Sequence, residues 1–121
     1  MIKDLKLELG GKERHFTFGI LFIGEVLERL DIDYNQLLNK AIKNPFKYAP
    51  ILMYESLKNT YVSKDNVIDF TEKDLVGWLE SEDLLGSDKI IKFIQAFLGT
   101  NDNKTPEKVV EEVEEDSVKK K

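Results

Sequence analysis

Near the N-terminus, Leu5, Leu7 and Leu9 alternate with Asp4, Lys6 and Glu8, the period-2 pattern of a half-buried β-strand. Gly10-Gly11 follows, and paired glycines supply the positive φ angles of a two-residue hairpin turn. Pairing Leu9 with Lys12 sets Leu7 opposite Arg14 and Leu5 opposite Phe16, with Leu5 and Phe16 on one face. The period then becomes helical. Between Gly19 and Leu30, the residues Ile20, Ile23, Leu27 and Leu30 form one stripe, with Glu25, Glu28 and Arg29 toward water. Leu21, Phe22 and Val26 widen the apolar surface well past that stripe. Such a helix is either packed on two sides, as a central core helix under the hairpin, or presents a spare apolar face to a partner.

Asp33 is placed to cap a short helix carrying Leu37, Leu38, Ala41 and Ile42. Asn44-Pro45, a second cap-plus-first-turn signal, opens a further segment with Phe46, Ala49, Leu52, Met53 and Leu57, in which Pro50 predicts either a kink or a true helix start. Beyond the polar stretch Ser63 to Asn66, Val67-Ile68-Asp69-Phe70 reads as a short extended run. Thr71 with Asp74 forms a capping box ahead of Leu75, Trp78 and Leu79. Ser87 is expected to cap a last helix holding Ile90, Ile91, Phe93, Ile94, Phe97 and Leu98, which Gly99 ends. The expected fold is α+β and mostly α-helical, an N-terminal two-stranded β-hairpin packed on about five helices. Residues 1–99 form the folded domain. Residues 100–121 carry no aromatic side chain and hold the run Glu111-Glu112-Val113-Glu114-Glu115-Asp116, so they are expected to be a mobile acidic tail.

Composition narrows the chemistry. The 121 residues include no Cys and a single His, His15, which excludes disulfides, cysteine nucleophiles and most zinc sites. The net charge is −5 and the basic side chains are scattered, so nucleic acid is not an expected partner. The longest apolar runs, Ile20 to Ile23 and Ile51 to Tyr54, fall far short of the ~20 residues that span a bilayer. The N-terminus does not lead into a signal-peptide block, so no membrane partner and an intracellular location are expected. Gly19 and Gly24 have phosphate-loop spacing, but Glu25-Val26 stand where Lys and Ser/Thr are needed. Asp31, Asp33 and Asn35 match the start of a calcium loop that Gln36 and Ile42 then break. Glu80, Glu82 and Asp83 form the densest acidic cluster of the domain, and a hydrolase built on them would need a concave pocket around them. Trp78 belongs either to the core or to a binding surface, and Tyr48, Tyr54 and Tyr61 have hydroxyls that need a wet edge.

The succession of Leu5-x-Leu7-x-Leu9-Gly10-Gly11-Lys12-x-Arg14-x-Phe16-x-Phe18-Gly19, the helix Ile20 to Leu30, Ile51-Leu52-Met53-Tyr54-Glu55-Ser56-Leu57, a polar loop and Phe70-Thr71-Glu72-Lys73-Asp74-Leu75-Val76-Gly77-Trp78-Leu79 resembles the tail assembly chaperones of long-tailed bacteriophages. The resemblance covers about Lys3 to Leu98. It implies a non-enzymatic protein, without cofactor or metal, in the cytoplasm of the bacterial host, where it keeps the long apolar tape measure protein soluble until tube subunits polymerise around it. It also implies a second partner, the tail tube subunit, reached through a longer frameshifted form; the Lys119-Lys120-Lys121 end fits A-rich slippery codons. The expected partner-binding residues, chosen on physical grounds, are Phe22, Val26, Tyr54 and Trp78. The alternative reading is a small homo-oligomeric structural or regulatory adaptor without a client.

Overall fold

Gly10 and Gly11 take φ angles of +65° and +86°, the doubly left-handed backbone of a tight hairpin, and fold β1 (Asp4–Leu9) back on β2 (Lys12–Thr17). The computed structural model describes residues 4–99. Its register pairs Leu9 with Lys12, Leu7 with Arg14 and Leu5 with Phe16, as the alternation predicts. Leu7, Leu9 and Phe16 are buried and Leu5 half-buried, so one face of the ribbon lies on the core while Lys6, Glu8 and Glu13 face water. The remaining elements are α1 (Ile20–Leu30), α2 (Tyr34–Lys43), α3 (Pro45–Ser63), α4 (Glu72–Glu80), a short turn Asp83–Gly86 and α5 (Ser87–Leu98). The architecture is α+β, a two-stranded antiparallel hairpin with five helices.

The helix under the hairpin is α3. It packs against β2 and all four other helices, and it buries Ala49, Leu52, Met53 and Leu57 together with the polar Glu55, Ser56 and Thr60. Contact on several sides explains why its sequence shows no single apolar stripe. Pro50 lies inside it without starting it. The bond that Pro50 cannot make falls on the carbonyl of Phe46, an exposed residue whose oxygen water can satisfy. Ser56 and Thr60 join the helix to the strand: Ser56 Oγ donates to the Thr17 carbonyl at 2.8 Å, and the Thr17 and Thr60 hydroxyls lie 2.9 Å apart. The core beside this seam is aromatic. Phe16 and Phe18 meet Phe93 at ring-centroid distances of 5.5 and 5.2 Å, and Phe18, Phe22 and Phe97 continue the edge-on and tilted contacts.

Asp33 caps α2 and the Thr71–Asp74 capping box opens α4 as the sequence predicts, and the Asp33 cap is itself closed into a box by Gln36. Asp33 Oδ1 accepts from the Gln36 amide at 2.8 Å while Gln36 Oε1 accepts from the Asp33 amide at 2.9 Å; Thr71 and Asp74 repeat the exchange at 3.0 and 2.9 Å. Gly99, with φ +76°, ends α5. Three expectations are corrected. Ser87 is the first helical residue of α5, and Gly86 holds the cap position with no side-chain bond. Asn44 makes no side-chain cap bond to α3, which begins on the pre-set φ of Pro45 instead. Val67 to Phe70 joins no sheet; it is a loop that delivers Phe70 to the core. The turn before α5 puts Leu84 and Leu85 at φ +55° and +57°, a conformation that costs an L-residue about 1–2 kcal/mol. The expected mobile tail, residues 100–121, lies outside the described residues.

Gly10 also sits against Trp78. A Cβ at this position would lie 2.5 Å from Trp78 Cε2. Gly10→Ala therefore combines a disfavoured φ with a steric collision, and it should cost roughly 2–4 kcal/mol in a chemical denaturation curve. Gly11→Ala meets nothing within 4 Å and should lose only the conformational part of that cost.

Candidate functional site

In α1 the buried face and the apolar stripe are different things. Phe22 and Val26 are both fully buried, with the Phe22 ring 6.0 Å from that of Phe97. They belong to the core and present no surface to a partner, which corrects their selection as binding residues. The stripe Ile20, Ile23, Leu27 and Leu30 runs along the flank of the helix. Ile23, Leu27 and Leu30 are half-buried against the core edge, and Ile20 is 85% exposed. Leu21 is 71% exposed. At about 100° per residue, Gly24 lies between the directions of Ile20 and Leu21. A Cβ there would meet nothing within 4 Å, so neither packing nor backbone conformation within this domain requires a glycine. The N-terminal half of α1 thus carries two bare aliphatic side chains beside an uncovered stretch of backbone.

Tyr54 and Trp78 come together elsewhere, around a charge. Arg14 lies on the same face of β2 as Phe16 and is only 4% exposed. Its Nε donates to the Leu9 carbonyl at 3.0 Å and its Nη1 to the Tyr61 hydroxyl at 3.2 Å. The guanidinium carbon stands 4.1 Å from the Trp78 ring centroid and 5.7 Å from that of Phe70. Phe70 in turn meets Tyr54, Tyr61 and Trp78 at 5.9, 5.3 and 5.8 Å. The Trp78 ring is one wall of this cage, and Tyr54 buttresses Phe70 from behind. Both are half-buried and engaged within the domain. Strand parity was the signal for Arg14, because residues 14, 16 and 18 share a face.

The charged residues build a second internal network. Arg29 on α1 makes a two-pronged ion pair with Glu72 on α4 at 2.7 and 2.8 Å, and it donates to Glu55 on α3 at 3.0 Å. The bonds to Glu72 raise the Arg29 pKa above the ordinary guanidinium value, burial opposes them, and the bond to Glu55 adds to the rise. Lys58 Nζ stands 3.1 Å from the other Glu55 oxygen, so this buried carboxylate has a cation on each side. Burial alone raises the pKa of Tyr34.

Within the acidic cluster Glu82 pairs with Lys89 at 3.0 Å, while Glu80 and Asp83 face water. His15 pairs with Asp4 at 3.0 Å on the exposed ribbon face. Among the described residues, no group of three or more His, Asp or Glu side chains could hold a metal. No helix there is long and apolar enough to cross a membrane. A concavity of about 380 Å³ opens between α2 and the start of α3, lined by Gln36, Asn39, Lys40, Lys43, Asn44 and Tyr48.

Arg14→Ala should empty the cage, strand the Tyr61 hydroxyl and Leu9 carbonyl, and cost about 2–4 kcal/mol. Trp78 is the sole tryptophan, so its fluorescence should report both the changed surroundings and the lowered unfolding midpoint. Comparison of the chain with protein-family models, with curated proteins and with solved structures finds no match in any of the three.

Proposed function

We propose that this protein is a non-enzymatic chaperone that binds an apolar helical segment of a phage tape measure protein and keeps it soluble in the host cytoplasm. The observation that carries this reading is the outer surface of α1, where Ile20 and Leu21 stand bare beside Gly24. A partner helix laid along that surface would remove both side chains from water, each worth about 1.5–3 kcal/mol when fully buried. It would also approach the α1 backbone closely at Gly24, where a side chain would hold it off. Ile23 and Leu27 continue the apolar track at one-turn spacing, the form in which a helix is read by a groove. The element order that carries the resemblance, a hairpin running into a helix and later a capped helix with Trp78, supports assigning the partner to the tape measure protein. The tube subunit is the second partner proposed, through a longer frameshifted form. A client-free homo-oligomeric adaptor would use the same surface for a second copy.

The test is co-purification of an untagged tape measure fragment with the wild type and with Ile20→Asp/Leu21→Asp, alongside circular dichroism of both. Both side chains are exposed, so the variant should keep its fold and lose the client. Phe22→Asp/Val26→Asp should instead unfold the domain, because it buries two unpaired charges. Failure of the wild type to associate with any tape measure fragment would reject the chaperone reading, whereas client retained by the Ile20→Asp/Leu21→Asp variant would reject this surface. Sedimentation without client separates the adaptor: a wild-type dimer that the same variant splits favours it. Gly24→Ala should raise stability by about 0.5–1 kcal/mol and weaken client binding, a pairing that a glycine without a role in recognition would not show.

A further inference from the structure

Charge is segregated along this chain. From Tyr34 to Tyr54 there is no acidic residue, and the basic ones are Lys40, Lys43 and Lys47; from Val109 to Val118 there is no basic residue, and Glu111, Glu112, Glu114, Glu115 and Asp116 are acidic. The structure gathers the first set at one place. Lys40 and Lys43 line the concavity between α2 and α3, with Asn39, Asn44, Gln36 and Tyr48 as neutral hydrogen-bonding walls. Lys40 and Lys47 both reach toward the Tyr48 ring, with their ammonium nitrogens 5.7 and 5.5 Å from its centroid. Among the described residues, no carboxylate lies within 4.0 Å of any of the three lysines. In a protein of net charge −5, three cations around one tyrosine form a local positive field without a described counterpart.

We infer that this concavity is the docking surface for the chain's own acidic segment, Glu111 to Asp116. Charge complementarity selects the occupant, since five carboxylates within six residues face three lysines spaced along about two turns. Chain length allows it. Eleven residues lie between Gly99 and Glu111, twelve Cα–Cα steps that extend to about 40 Å, against a domain radius of gyration of about 13 Å. The α5 helix from which the segment leaves already packs against α2, so the path around the body is short. Val113 falls among the carboxylates, and the Tyr48 ring offers it an apolar contact within the polar site. Docking here neutralises charge of both signs and leaves the outer surface of α1 free, so the inference is independent of the client proposed above.

The experiment is zero-length carbodiimide cross-linking of the full chain as an equal mixture of unlabelled and ¹⁵N-labelled protein, read by peptide mass spectrometry. Docking within the chain should yield amides between Lys40, Lys43 or Lys47 and Glu111 to Asp116, with both peptides carrying the same isotope. Raising the salt from about 0.05 M to about 0.5 M shortens the screening length from roughly 14 Å to roughly 4 Å and should lower their yield several-fold. Backbone amide spectra give a second measure. Neutralising Glu111, Glu112, Glu114, Glu115 and Asp116 to their amides should shift signals around Lys40 to Tyr48 in preference to those of β1 and β2. Cross-links only between different isotopes would show a second copy as the occupant and overturn the inference. So would acidic-segment cross-links spread evenly over the lysines of the body, or a neutralised variant whose spectrum is unchanged at the concavity.

Discussion

Arg14, a charged residue with 4% of its surface exposed, is the constraint around which the hairpin half of this molecule is arranged. Moving the charge of Arg14 out of water is costly unless every direction around it is filled by an acceptor or a ring face. The acceptors are local: the Leu9 carbonyl across the ribbon and the Tyr61 hydroxyl of α3. The ring faces come from further along, Phe70 from the loop after α3 and Trp78 from α4. Satisfying one side chain therefore fixes the relative positions of the ribbon, α3, that loop and α4. It also explains Gly10, since Trp78 can lie over the guanidinium only where the neighbouring turn has no Cβ.

Two polar assemblies carry this order to the other side of α3. The Ser56, Thr60 and Thr17 bonds hold β2 on the helix at fixed register, and the Arg29 pairings with Glu55 and Glu72 tie α1, α3 and α4. Each puts a buried or half-buried polar group opposite a partner, which keeps the packing of these elements specific. The exposed features lie at the rim: aliphatic side chains on α1 and lysines at the corner of α2 and α3. Both surfaces sit on helices anchored by the core, which keeps their geometry set before anything binds.

Local chemistry was the part of this fold most legible in the sequence. The hairpin register, the Asp33 cap, the Thr71–Asp74 capping box and the glycine that ends α5 depend on residues within a few positions of one another. The phase of α1 was not legible, because Ile20-Leu21-Phe22-Ile23 offers several apolar faces and the choice is made by what waits opposite. Phe18 and Phe97 draw Phe22 inward, and the regular stripe is left on the flank. Ser87 failed as a cap because Leu84, Leu85 and Gly86 turn left-handed just before it, a conformation that leucines do not advertise. That Trp78 and Tyr54 meet around Phe70 and Arg14 was not legible, because Phe70 reaches them from a loop with no periodicity of its own. Arg14 carried a usable parity signal, since it shares the Phe16 face of β2, but nothing near it in sequence names the rings that enclose it.

The cage also bears on how the chain reaches its native state. Arg14 and Trp78 are 64 positions apart, so the hairpin, whose contacts are local, is expected to form ahead of the closure of α4 over it. Until then the guanidinium stays hydrated, and a ribbon docked on α3 without the Phe70 and Trp78 walls would desolvate it for little return. Such half-assembled species are penalised relative to both the open chain and the finished fold. Partial docking is thereby removed from the accessible routes, and local openings of α4 are coupled to release of the ribbon. Amide hydrogen exchange in these two segments, far apart in sequence, is then expected to proceed as one cooperative unit.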